Sequence, residues 1–163
     1  MKELIAATLT RLADRVTEAR YIDEDWGQLD AYSQNPPVKW PCILVDLSQA
    51  SWSNQGRNIQ TGIAEIIIRL ADLRLSPTNQ RAATSQKQKA SELWDVLKAI
   101  HQALHTWAPN AHTGSLTRTS TRRINRDDGV REFAISYQCT VTDNSAMPQQ
   151  TNVLVQPQVN LQS

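Results

Sequence analysis

The stretch from Val130 to Thr142 alternates apolar and polar residues over nearly its whole length. Phe133, Ile135, Tyr137, Cys139 and Val141 fall on one side, and Glu132, Ser136, Gln138 and Thr140 on the other. A period of two is the mark of a β-strand with one face on a core and the other toward water. Just before it stands Asn125-Arg126-Asp127-Asp128-Gly129. Asp and Gly both tolerate positive φ, so this run joins the strand to residues 115–124 as a hairpin. Such a hairpin requires a sheet, and the sheet requires a cover for its apolar face.

Two further strands lie upstream. In residues 40–48, Ile43, Val45 and Leu47 share one face while Cys42 and Leu44 make the other apolar, which predicts a central strand. Residues 49–57, polar apart from Trp52 and ending in Gly56-Arg57, read as a loop. Residues 59–73 form a long strand, with Ile63, Ile67 and Leu73 on one parity and Ile66, Ile68 and Leu70 on the other. Gly62 is the candidate position for a bulge in it.

The covers are helical. Residues 3–19 place Leu4, Ile5, Leu9, Leu12 and Val16 at helical spacing. Ser76-Pro77 reads as N-cap and first position of a second helix. Its stripe of Leu93, Leu97, Ile100, Leu104 and Trp107, widened by Trp94, ends at Ala108-Pro109-Asn110, and residues 79–90 form its more exposed half. Residues 20–39 are a connection with room for a short strand. The order is helix, strand, strand, long helix, strand, strand. This predicts an α+β fold: a mostly antiparallel sheet of four strands or slightly more, with both helices on one face. Residues 1–143 form one domain. Residues 144–163, without charge and rich in Gln and Asn, form an extended or disordered arm whose apolar Val153, Leu154 and Val155 are its candidate contacts.

The chain of 163 residues carries 17 Lys and Arg against 16 Asp and Glu, a net charge of +1. That balance gives no global attraction to nucleic acid or membrane. Strongly apolar runs such as Ile66-Ile67-Ile68 fall far short of a membrane span, and the N-terminus lacks the apolar core of a signal peptide. The two cysteines, Cys42 and Cys139, have no zinc spacing and read as buried thiols in a reducing compartment. The expectation is a cytosolic product.

Signals for chemistry are sparse. His101 and His105 stand at i, i+4, the spacing that puts two imidazoles on one helix face, and His112 is the only other histidine. The residues between the pair are Gln102, Ala103 and Leu104, so the glutamate of a metalloprotease helix is missing. Asp127 and Asp128 are accounted for by turn chemistry. Arg118, Arg122, Arg123 and Arg126 form a basic strip on one hairpin, with Arg118 and Arg122 on one strand face and Arg123 on the other. Trp94 and Trp107 read as core, while Trp26, Trp40 and Trp52, in or beside polar segments, are candidate anchors for a partner. Glycine-rich phosphate loops and nucleophile elbows are absent. No cofactor, metal or catalytic residue is expected.

The ordered pieces resemble the tail-terminator, or minor tail (tail-completion), proteins of long-tailed bacteriophages. The resemblance lies in a short N-terminal helix at Leu4-Ile5-Ala6-Ala7-Thr8-Leu9, a proline-led strand at Trp40-Pro41-Cys42-Ile43-Leu44-Val45, a long strand from Thr61 to Leu73, a helix, and a closing hairpin with Arg126-Asp127-Asp128-Gly129 at its turn. It covers residues 3–143. It implies a non-enzymatic protein that assembles with itself as a ring, typically a hexamer, on the tail-tube protein. The ring ends tube growth and offers a surface to the head–tail connector protein. It also implies assembly in the host bacterial cytoplasm and residence in the virion tail, with nucleic acid met only as DNA passing through the ring. Candidate contacts are Trp52, Arg57, Arg118, Arg122, Arg126, Asp127 and Asp128, with Val153, Leu154 and Val155 of the arm. Two other readings remain open: a dimeric or nucleic-acid-binding module using the Arg118, Arg122, Arg123 and Arg126 strip, and a metal-dependent hydrolase using His101 and His105.

Overall fold

The alternating run lies inside a sheet of five strands. A computed structural model describes residues 1–30, 36–73 and 79–148, except for the side chain of Lys89. In chain order the elements are α1 (Lys2–Arg15), β1 (Tyr21–Glu24), β2 (Cys42–Gly56), β3 (Ile59–Leu73), α2 (Thr84–Leu104), β4 (Thr117–Ile124) and β5 (Val130–Asp143). The strands lie in the order β1-β2-β3-β5-β4. Every neighbouring pair is antiparallel except β1 with β2. The fold is α+β, as the patterning predicts, with the short β1 filling the room left in residues 20–39.

Both helices pack on one face. Leu4, Ile5 and Leu12 of α1 and Leu93, Val96, Ile100 and Leu104 of α2 meet Ile43, Val45, Ile66, Ile68, Leu70, Ile135 and Tyr137 in the main core. Fully burying one such side chain stabilises the fold by about 1.5–3 kcal/mol. Arg11 ties the two helices together. Its Nε donates to the Ala103 carbonyl at 3.1 Å, and its guanidinium lies 5.3 Å from the centre of the Trp107 ring. A smaller cluster of Leu29, Cys42, Leu44, Ala71 and Val130 sits on the opposite face, hereafter the open face. Cys42 and Cys139 therefore lie on opposite sides of the sheet, as free buried thiols.

Several expected boundaries are corrected. Residues 49–57 are not a loop. β2 continues through them to Gly56 and pairs with β3 as far as Ile59, so Trp52 sits in a strand opposite Gly62. The reason is the turn. Arg57 (φ 51°) and Asn58 (φ 60°) both adopt the left-handed conformation of a two-residue hairpin connection, so polar strand residues continue the ladder beyond the core. Two bulges fall on β2, at Ser48 and Gln55, rather than at Gly62. Leu47 pairs with Ile66 and Gln49 with Glu65, leaving Ser48 as the extra residue.

α2 begins at Thr84 with Ala83 in the cap position, and the expected start at Ser76-Pro77 lies outside the described residues. It ends at Leu104, before Trp107. Thr106 turns to φ 64° and donates to the Leu116 carbonyl at 2.8 Å, while Leu116 N–H donates to Trp107 O, so the chain leaves the helix to meet the entry of β4. Trp94 is not core. It is 56% exposed and tilts against Phe133, ring centres 5.1 Å apart.

Candidate functional site

The expected contact residues fall on three surfaces. The first is the far end of the β2–β3 hairpin, which extends beyond the helices. Residues 51–58 are all exposed. After the Ser48 bulge the parity of β2 inverts, so Trp52 follows Ala50 onto the helix-side face. There it is 36% exposed, and its ring lies over Gly62, where an added Cβ would collide with the Ser51 carbonyl. Ile63, 53% exposed, faces the other way. Arg57 is at the tip.

The second surface is β4. Here a bulge again changes the expected faces. Arg118 pairs with Tyr137 and Ser120 with Ser136, so Thr119 is the extra residue. Arg118 and Arg123, opposite Tyr137 and Phe133, therefore share the helix-side face. Arg122, opposite Ala134, lies on the open face. The expected pairing of Arg118 with Arg122 is corrected, because one extra residue shifts strand parity by one. Arg118 instead comes beside the histidine pair. Its backbone N–H donates to His105 Nδ1 at 3.3 Å, and the His101 and His105 rings are 4.7 Å apart. Desolvation, then the charges of Arg118 and His105, hold His101 below the ordinary imidazole range. Among the described residues no group of three His, Cys, Asp or Glu converges as a metal site would require.

The third surface is the β4–β5 turn, and it is largely turned inward. Arg126 is not part of an exposed strip. It contacts Asp128 at 2.6 Å, Glu132 at 2.9 Å and the Leu29 carbonyl at 2.8 Å. Asn125, Asp127 and Gly129 stand clear. Gly129 alone takes positive φ (79°), while Asp128 Oδ1 accepts the Val130 N–H at 3.1 Å.

Arg126 belongs to a network that the sequence reading missed. Arg69, in the middle of β3, contacts Asp25 at 2.9 Å, Asp30 at 2.7 Å and Glu132 at 2.6 Å. Glu132 is 0% exposed, and both its oxygens are engaged, one by each arginine. The network fastens residues 25–30 across the open face to β3, β5 and the turn. The arginine hydrogen bonds hold Asp30 and Asp128 below the usual carboxylate range. Its sequence signal was Arg69 itself, a charge directly after Ile66-Ile67-Ile68 in a central strand, where burial demands a partner.

A groove of about 930 Å³ opens between α2, the end of β3 and residues 39–41, with Trp40, Asp72, Leu93 and Arg131 among its walls. Arg131 donates to the Ala90 carbonyl at 2.9 Å, while burial raises the pKa of Asp72. Trp40 belongs to the open-face cluster, and Trp26 is 55% exposed. Val153, Leu154 and Val155 lie outside the described residues.

No protein-family model matches the chain, and no curated protein matches it. Among solved structures, a chain of the virion of a native gene transfer agent particle is similar in fold. Its TM-score is 0.51 at 13% identity, over 86% of this chain and 95% of that one.

Proposed function

We propose that this chain is a structural component of a phage-type virion, acting as the ring that terminates a tail tube. The observation that carries this reading is the fold shared with a virion chain over nearly the full length of both. The order of elements that resembles the tail terminators supports it further. In this reading the chain assembles with itself, as a hexamer, on the last layer of tail-tube protein. It stops further addition and presents its outer face to the head–tail connector. It works without catalysis or cofactor, in the bacterial cytoplasm during assembly and then in the finished tail.

Two surfaces suit the two sides of such a ring. The projecting hairpin end places Trp52 and Arg57 away from the core, where an exposed indole is a favourable anchor for a partner. Asp127 stands at the exposed turn. Arg126 and Asp128 instead hold the fold from within. The nucleic-acid reading draws little support, because Arg126 is committed to carboxylates and the other three arginines are divided between two faces.

The test is to add purified chain to uncapped tail tubes and view them by negative-stain microscopy. One ring at a single tube end, with tube growth halted, is expected. Tubes that keep growing without end density overturn the tail-terminator role.

A further inference from the structure

The sheet ends in two edges of opposite charge. β4, exposed from Thr117 to Arg123, carries three arginines and no acid. β1, the other edge, reads Tyr-Ile-Asp-Glu, with two acids and no base. Among the described residues each edge strand is paired with one neighbour only, which leaves outer backbone groups to a further strand, apart from the Arg118 N–H and the Glu24 carbonyl, which bond His105 and Gln28. Among the described residues, Arg122, Arg123, Asp23 and Glu24 form no ion pair.

The charges also match face by face. Asp23 lies beside Leu44 and Glu24 beside Val45, which puts Asp23 on the open face and Glu24 on the helix side. Arg122 is on the open face and Arg123 on the helix side. The open face thus sets Arg122 against Asp23, and the helix side sets Arg118 and Arg123 against Glu24. Opposite charges across paired strands stabilise and like charges destabilise, so β4 against β1 is favoured over either edge against itself. An interface between two different surfaces of the same chain is the heterologous kind that closes into rings.

We propose that β4 of one subunit pairs with β1 of the next, continuing the sheet from copy to copy. β1, β2 and β5 run one way, and β3 and β4 the other. Rotation about an axis along the strands therefore brings β4 antiparallel to β1 of the partner subunit. With Arg122 opposite Asp23 of the partner subunit, Arg123 lies diagonal to Glu24 of the partner subunit, within reach of long side chains. This contact deepens the proposed terminator ring and rests on that reading for its closure. With only four residues in β1, the contact is weak and screened by salt.

The experiment is native mass spectrometry of the full chain at low and high ammonium acetate. Rings are expected at low salt and monomer at high salt. Arg122→Glu with Arg123→Glu, and separately Asp23→Lys with Glu24→Lys, each weaken association by about tenfold or more, as charge pairs turn repulsive. All four changes together restore it. Mixing the two double variants gives heteromers of equal composition, because each supplies the edge the other needs. Glu24→Lys alone, at the more exposed acid, replaces the β1 double variant if that variant loses native circular dichroism. Double variants that assemble like the parent, a fourfold variant or mixture that stays monomeric, or a parent monomeric at low salt overturn the contact. None of these outcomes bears on the microscopy of tube ends, so the terminator role stands or falls separately.

Discussion

A carboxylate with no exposed surface needs its counter-charges, and Glu132 has two. Removing one partner from a buried charge costs far more than the pair contributes. Arg69→Ala is therefore expected to destabilise the fold by about 3–5 kcal/mol, read as a lower urea midpoint with unchanged slope. Arg122→Ala, at an exposed position in β4, should change the unfolding free energy from the same titration by no more than about 0.5 kcal/mol. Equal losses from the two changes would show that the Glu132 network is not the stabilising element. The sequence analysis passed over Arg69, although a charge inside an apolar strand was a signal, and its partners were hidden because Asp25 and Asp30 are far away in the chain and reach it only through the fold. Arg126 and Asp128 illustrate the same limit. Their residue types suited an exposed contact, and only the turn geometry brought them inward.

At the scale of elements, periodicity located β3 and β5 almost to the residue, because a half-buried strand imprints its period directly. It failed where burial stops. Apart from Ala50 and Trp52 the outer half of β2 is polar, so nothing in its pattern separated a projecting strand from a loop. Bulges were equally hidden, since an extra residue in an exposed strand leaves no apolar register to break. Gly62 is where such a strand does carry a requirement. A side chain there meets the Ser51 carbonyl and the Trp52 ring. Gly62→Val should cost about 1–3 kcal/mol through this overpacking and alter the Trp52 environment, measured as a lower melting temperature with changed indole fluorescence. An unchanged melting temperature would refute the close approach.

Across the whole molecule, ionisation couples segments that lie far apart. His101 titrates lower in the fold than its ordinary value of 6.5, so the unfolded chain binds its proton more tightly, and stability falls as pH drops below that value. Asp30 and Asp128, held below 3.8, contribute stability that is present above that value and lost as pH falls through their folded ones. Asp72, raised by burial, acts in the opposite sense and relieves a burden as it protonates. A melting temperature that declines from pH 7 to pH 5 is expected, with the decline reduced in His101→Gln. Identical profiles for the two proteins would remove His101 from the account. The Ser48 bulge has its own consequence at this scale. Loss of that single codon would let Gln49 follow Leu47 directly opposite Glu65 and Ile66, so the ladder would close without a bulge and Trp52 would keep Gly62 as its partner and the helix side as its face. The root of the finger can therefore shed a residue while the indole goes on pointing toward the same surface, so a length change there spares whatever Trp52 touches.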